Sequence, residues 1–261
     1  MKLLLDLGNT RLKWALQSPH SAEWVAHGAA GWHEDVAALL TSAWADLPQP
    51  QMVGAASVVD AAREGQVAAV VVSRFGRAPV WLRTPAQACG VRNAYAQPGR
   101  LGVDRFLAMV AAHAAGQAPC VLVGAGTALT LDALATDGRH LGGLIAPGPQ
   151  LMQQSLLDRT ALVRPERPGV IMELADNTAD AVVSGCWQAA VALIERFATR
   201  MALRLGGMPT LILGGGDATR LAPLLSLPVQ VSRDGVLRGV AVWADTQPAE
   251  SPPGSHGDGW R

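Results

Sequence analysis

The sequence predicts an α/β protein made of two related halves, and three observations carry that prediction. Apolar runs of strand length alternate with helical stretches along the 261 residues, the pattern of sheets covered by helices. A strand, a glycine turn and a second strand open the chain and recur near its middle. A third glycine turn follows an apolar run late in the sequence. At roughly 150 residues per domain the length allows one or two domains. The 49% apolar content and mean hydropathy of +0.20 exclude a disordered chain, and 28 Gly with 17 Pro are too few for a fibrous one.

Leu3–Leu5 is a short apolar run, and Leu12, Trp14 and Leu16 alternate with Arg11, Lys13 and Ala15 at strand periodicity. Gly8-Asn9 between them is a turn dipeptide, so the opening reads as a hairpin whose tip carries Asp6, Gly8, Asn9 and Thr10. Val53–Ser57 and Val80–Leu82 follow as strands, with His33–Leu47 and Ala61–Phe75 as the helices between them. A helix over Val103–Ala115 is closed by Gly116 and Pro119.

Cys120–Val123, the turn Gly124–Thr127 and Ala128–Asp132 then repeat the opening plan. A shift of 118 residues lays Gly8 on Gly126, Asp6 on Gly124 and Asn9 on Thr127. This weak repeat predicts halves at 1–117 and 118–245. In the second half, Gly142–Gly148 reads as a glycine and proline loop and Gln150–Asp158 as a helix. Asn177 caps a long helix that reaches Leu205 and ends at Gly206-Gly207. Leu211–Leu213 is a strand, Gly214–Gly216 a turn, and a helix starts near Asp217. Residues 246–261, rich in Pro, Ser and Gly, are expected to be a disordered tail.

Twenty-one basic residues balance 21 acidic ones, which argues against nucleic-acid or anionic-membrane partners. The three cysteines, Cys89, Cys120 and Cys186, are too far apart for a metal or redox pair and point to buried thiols in a reducing compartment. The apolar run at the amino terminus stops at Asp6, so no export signal is expected and the protein is placed in the cytoplasm. The uncharged stretch Phe106–Leu131 is interrupted by His113, Gly116, Gln117 and Pro119, which favours a helix and a buried strand over a membrane span. Trp24, Trp32, Trp44, Trp81 and Trp243 are scattered and read as packing residues.

A hairpin tip presents backbone N–H groups that no ladder uses, and a glycine there lets a phosphate approach closely. Asp6 could hold Mg²⁺ and Lys13 could reach phosphate oxygens, which together make a candidate nucleotide site. The Walker signature and the dinucleotide fingerprint are both missing. A phosphate-binding hairpin in each half, with a glycine turn late in the second, is the plan of actin-like ATPases and sugar kinases. Between the hairpins, Gly102 permits close approach, Asp104 stands at a helix start and Arg105 is beside it. Phosphoryl transfer to an alcohol needs positioning, a metal and a carboxylate to accept the hydroxyl proton, a role that suits Asp104. Tyr95, the only tyrosine, lies in the preceding loop.

These residues resemble the type III pantothenate kinases, also described as Bvg accessory factor proteins, from Leu3 to about Ala244. The resemblance rests on Asp6-Leu7-Gly8-Asn9-Thr10 with Lys13, on Tyr95 and Pro98 leading into Gly102-Val103-Asp104-Arg105, and on Gly126-Thr127-Ala128 with Thr130 and Asp132. It continues through Gly142-Gly143-Leu144-Ile145 with Pro147-Gly148, Asn177-Thr178 and Gly215-Gly216-Asp217. It implies an actin-like ATPase (ribonuclease H-like) fold, two related α/β halves with mixed sheets, and a homodimer. The implied reaction transfers the ATP γ-phosphate to pantothenate, opening coenzyme A synthesis.

Carried over residue by residue, Asp6, Leu7, Gly8, Asn9, Thr10, Arg11, Leu12 and Lys13 would cradle the ATP phosphates, and Thr127 would touch ATP from the second hairpin. Asp104 would be the general base. Tyr95, Gly102, Val103, Asp104, Arg105 and Thr178 would contact pantothenate. The resemblance also implies Mg²⁺ with the nucleotide, and K⁺ or ammonium. Two departures stand out. The Asp expected to serve the monovalent cation is replaced by Gly124, which leaves backbone carbonyls or Asp132 as candidate ligands. The late turn reads Gly214-Gly215-Gly216-Asp217 where Thr is usual at the first position. Gly124 also raises an alternative, a non-catalytic nucleotide-binding regulatory protein of the same fold.

Overall fold

A computed structural model describes residues 1–19, 21, 23–161 and 163–247. The tail expected at 246–261 therefore lies, from residue 248 onward, outside the described residues. The chain divides into two compact units, Met1–Leu82 with the segment from Val240, and Arg83–Gly239. This boundary differs from the one expected near 117, because the segment 83–117 packs with the second sheet.

The first unit holds β1 (Lys2–Leu7), β2 (Arg11–Gln17), β3 (Trp24–Gly31), α1 (Val36–Ala43), β4 (Met52–Ser57), α2 (Ala61–Phe75) and β5 (Val80–Trp81). Its sheet runs β3-β2-β1-β4-β5, antiparallel across the first three strands and parallel across the rest. Alternation on β1 and β2 drives this arrangement. Leu3, Leu5 and Leu7 with Leu12, Trp14 and Leu16 point to one face, where Leu40, Trp44, Val67, Val71 and Phe75 of the helical layer cover them. Trp14 and Trp44 meet edge to face at 6.0 Å. Helix α1 is shorter than the expected His33–Leu47 because the Asp35 side chain caps it, accepting from the Ala38 N–H at 3.0 Å. Strand β3 was not anticipated from the sequence.

The second unit holds the short pair β6 (Gln87–Ala88) and β7 (Val91–Arg92), then α3 (Val103–Ala114), β8 (Cys120–Ala125), β9 (Ala128–Leu134), β10 (His140–Pro147), α4 (Pro149–Arg159), α5 (Thr178–Leu205), β11 (Thr210–Gly214), α6 (Ala218–Leu221) and β12 (Val229–Val231). Helix α7 (Gly235–Asp245) is the last described element, and from Val240 it belongs to the first unit. The second sheet runs β10-β9-β8-β11-β12, the same order and the same mixture of directions as the first. Of the segment expected as a loop at Gly142–Gly148, all but Gly148 lies in edge strand β10, and Gly148 stands at the N-cap of α4. The strand's irregular register between His140 and Gly142, and Pro147 at its end, are tolerated because one side of an edge strand has no ladder to complete.

The uncharged stretch Phe106–Leu131 is divided between α3, β8 and β9. By length and composition α5 is the one described helix that could cross a membrane. Its Trp187, Ala190, Ile194 and Ala198 are fully buried in the cluster that covers β8, β9 and β11, which marks it as a core helix. No disulfide joins the three cysteines, and burial pushes the Cys120 thiol up to about 12.

Candidate active site

The first hairpin pairs Asp6 with Lys13 and Leu7 with Leu12. Leu7 and Leu12 are fully buried and anchor its base, Asp6 and Lys13 are half-buried, and Asn9, Thr10 and Arg11 are exposed at the tip. The Gly8 N–H closes the turn on the Arg11 carbonyl at 3.1 Å, and a Cβ on Gly8 would sit 3.2 Å from that oxygen. Trp32 holds the tip from outside the ladder. Its indole N–H donates to the Gly8 carbonyl at 2.7 Å and its backbone N–H to the Thr10 carbonyl at 3.4 Å. The Arg63 guanidinium lies 5.1 Å from the centre of the Trp32 ring. Sequence reasoning missed this tryptophan. Its role depends on strand β3 pairing with β2, which no local signal in the sequence gave.

In the second hairpin the Gly126 N–H donates to the Ala128 carbonyl at 3.1 Å, and Thr127 is exposed at the tip. The late glycine turn docks here, with the Asp217 N–H donating to the Ala125 carbonyl at 3.0 Å and the Gln150 amide to the Asp217 carboxylate at 2.6 Å. Gly124 pairs across the ladder with Thr130, whose hydroxyl occupies the space a Cβ on Gly124 would need.

The acceptor end grows from α3. Val103, Phe106, Leu107, Met109 and Val110 bury this helix on several sides, so its first turn has a fixed position. Gly102 stands at its N-cap, and the Asp104 carboxylate accepts the Arg105 N–H at 2.8 Å. Burial raises the Asp104 carboxyl above the usual carboxylate range. The Arg105 N–H and guanidinium oppose that shift, and Asp132 adds to it. Arg105 is itself buried. Its Nε donates to Asp132 Oδ2 at 2.8 Å, its Nη2 to Asp132 Oδ1 at 2.6 Å and its Nη1 to the Tyr95 hydroxyl at 3.1 Å. Asn93 shapes the loop carrying Tyr95, accepting the Tyr95 N–H at 2.9 Å and donating to the Pro98 carbonyl at 3.1 Å.

Tyr95, Gly102, Val103, Asp104 and Arg105 thus come together, joined by Asp132 and by His140, which the sequence did not single out. Thr178 stands apart at the exposed start of α5, where the buried Asp180 organises the preceding loop. The Asp180 carboxylate accepts from the Arg167 guanidinium at 2.7 and 3.0 Å, from the Val170 N–H at 2.8 Å and from the Asn177 amide at 2.7 Å.

The side chains do not supply the carboxylate expected for a monovalent cation. Gly124 has no side-chain oxygen, the Thr130 hydroxyl fills its place, and both Asp132 oxygens are engaged by Arg105 and His140 rather than offered as cation ligands. Among the described residues no group of three or more His, Cys, Asp or Glu is arranged to hold a metal. Asp6 at a strand end beside an exposed glycine turn does fit Mg²⁺, an ion held largely by phosphate and water with one or two carboxylates.

A sheet of order β3-β2-β1-β4-β5 repeated as β10-β9-β8-β11-β12, each with a glycine turn between its central hairpin strands, defines the actin-like ATPase fold. A 2-dehydro-3-deoxygalactonokinase-type protein of Sinorhizobium meliloti shares this fold with a TM-score of 0.60 at 15% identity, over 94% of this chain and 96% of that one. The chain belongs to the type III pantothenate kinase family, whose profile matches residues 2–200. A type III pantothenate kinase of Nitrosospira multiformis is 39% identical over 238 residues, covering 91% of this chain and 88% of the relative. One from Xanthomonas campestris is 43% identical over 243 residues, covering 92% and 96%.

Proposed function

We propose that this protein phosphorylates pantothenate at the expense of ATP, forming 4'-phosphopantothenate and ADP. The observation that carries the reading is Asp104, a carboxylate kept basic by burial at the start of α3 and set beside the guanidinium of Arg105. The primary hydroxyl of pantothenate attacks the γ-phosphorus, the bond to the β-phosphate oxygen breaks, and Asp104 accepts the hydroxyl proton. Arg105 and Tyr95, with Gly102 and Val103, bind the acceptor. The residues Asp6 to Lys13 and Thr127 hold the phosphates through backbone N–H groups and the Lys13 ammonium. Mg²⁺ bound with the nucleotide at Asp6 would neutralise charge on the phosphates.

The two sheets are read as two related halves, each with one phosphate-facing hairpin. The protein is further proposed to act in the cytoplasm as a homodimer. Leu144 and Ile145 on edge strand β10, with Leu151 and Leu156 on α4, are exposed apolar residues that a second copy could cover. A non-catalytic regulatory role is less well supported, because Asp6, Lys13, Asp104 and Arg105 are all present.

A coupled ADP-release assay with purified protein, ATP-Mg²⁺ and pantothenate tests the activity. Pantothenate-dependent turnover is expected. Its absence in Na⁺, K⁺ and NH₄⁺ alike would overturn the reading.

A further inference from the structure

We infer that Asp132 and His140 are positioning residues for the acceptor substrate, setting Arg105 and Tyr95 in place beside Asp104. This rests on the pantothenate reading above and adds two residues to it. Arg105, Asp132 and His140 form a polar cluster in the interior around one ion pair, with exposures of 7%, 2% and 2%. A buried ion pair is poor value as a stabiliser, since apolar residues of similar size often serve as well. What it provides here is geometry. Asp132 meets Arg105 side-on through two bonds, which fixes the plane of the guanidinium and directs its Nη1 to the Tyr95 hydroxyl.

His140 ties that pair to the loop carrying Tyr95. Its Nε2 lies 2.9 Å from Asp132 Oδ1, and its Nδ1 accepts the Ala94 N–H at 3.4 Å. An Nδ1 that accepts a backbone N–H leaves the ring proton on Nε2, aimed at Asp132. The ring also stacks on Tyr95, with centroids 6.2 Å apart and planes inclined by 17°. One imidazole therefore touches the carboxylate that orients Arg105, the backbone of residue 94 and the ring of residue 95. Strand β10 makes room for the ion pair. A Cβ on Gly143 would come within 2.7 Å of Arg105 Nη2 and 2.5 Å of Asp132 Oδ1.

The test is steady-state kinetics of His140→Ala and His140→Gln with each substrate varied in turn. Displacing a binding group by a fraction of an ångström is expected to raise the pantothenate KM of H140A about ten- to a hundredfold, with the ATP KM within about twofold of wild type. H140Q keeps a donor for Asp132 but lacks the ring, so its pantothenate KM should fall between the two. Pantothenate KM values within about twofold of wild type in both variants, or equal rises for both substrates, overturn the inference. Nitrogen-15 spectra of histidine-labelled wild-type protein give a second measurement that needs no variant to fold. The His140 signal should show the Nε2–H tautomer and shift on addition of pantothenate, and an Nδ1–H tautomer or an unmoved signal counts against the proposal. Wild-type protein without pantothenate turnover would instead mark the failure of the functional reading, and the tautomer would still report on the bond to Asp132.

Discussion

The indole N–H of Trp32 donates to the carbonyl of Gly8 across 2.7 Å, so the tip of the first hairpin is braced by a residue 24 positions away. Trp32→Phe removes the donor and keeps most of the ring. Losing one such bond is worth about 1 kcal/mol, which corresponds to a rise of about fivefold in the ATP KM. The pantothenate KM should not change. Kinetics with each substrate varied separately distinguish this from a general loss of folding.

Asp104→Asn removes the proton acceptor and should lower kcat by about 10²–10⁴, while ATP still raises the melting temperature. The same substitution should stabilise the protein at neutral pH. Burial raises the carboxyl in the folded state, so above that value the folded chain bears a charge it disfavours. The cost vanishes once the pH falls below the unfolded value of about 3.8, where both states are protonated. Melting curves of the two proteins should therefore converge in acid.

Gly102→Ala would place a Cβ 2.6 Å from Asp104 Oδ1 and push the carboxylate out of its bond to the Arg105 N–H. A fall in kcat of about a hundredfold is expected, with melting little changed. A Cβ on Gly99 would meet nothing within 4 Å, so Gly99→Ala serves as the control and should retain activity.

Asp180 lies well below the usual carboxylate range, through its bonds to the Arg167 guanidinium first and then to the Val170 N–H and the Asn177 amide. A depressed value in the folded state stabilises it wherever the unfolded carboxyl is ionised. Asp180→Asn should lower the melting temperature at pH 7. Its deficit should shrink as the pH falls below about 3.8, where protons begin to bind the unfolded chain in preference. A deficit independent of pH would show that the bonds act by shape alone.

Since neither Gly124 nor Asp132 offers a carboxylate to a monovalent cation, turnover should be similar in Na⁺, K⁺ and NH₄⁺ at equal ionic strength. An absolute requirement for K⁺ or NH₄⁺ would show that other oxygens supply the site.

Local signals were read from the sequence where the physics is local. The α5 boundaries follow from Asn177, which accepts the Asp180 N–H at 3.1 Å, and from Gly206, whose φ of 80° ends the helix. Both hairpins follow from alternation around a glycine turn. The glycines of β10 resembled a loop because turn composition cannot be told from an edge strand that uses glycine to admit a neighbouring ion pair. Burial alternates along strand β3, but its small residues Ala26, Gly28, Ala29, Ala30 and Gly31 carry too little hydropathy contrast to show it.

The alternation of strands and helices, the two glycine hairpins and the candidate base at Asp104 were legible in one dimension, because caps, turns and alternation act within a few residues. Only the folded chain showed that Asp132 pairs with Arg105, 27 positions away. Only there does His140 join Asp132 to Tyr95, and Trp32 brace Gly8. Such pairings depend on which strands become neighbours and how far each side chain reaches across them, and sheet packing sets both.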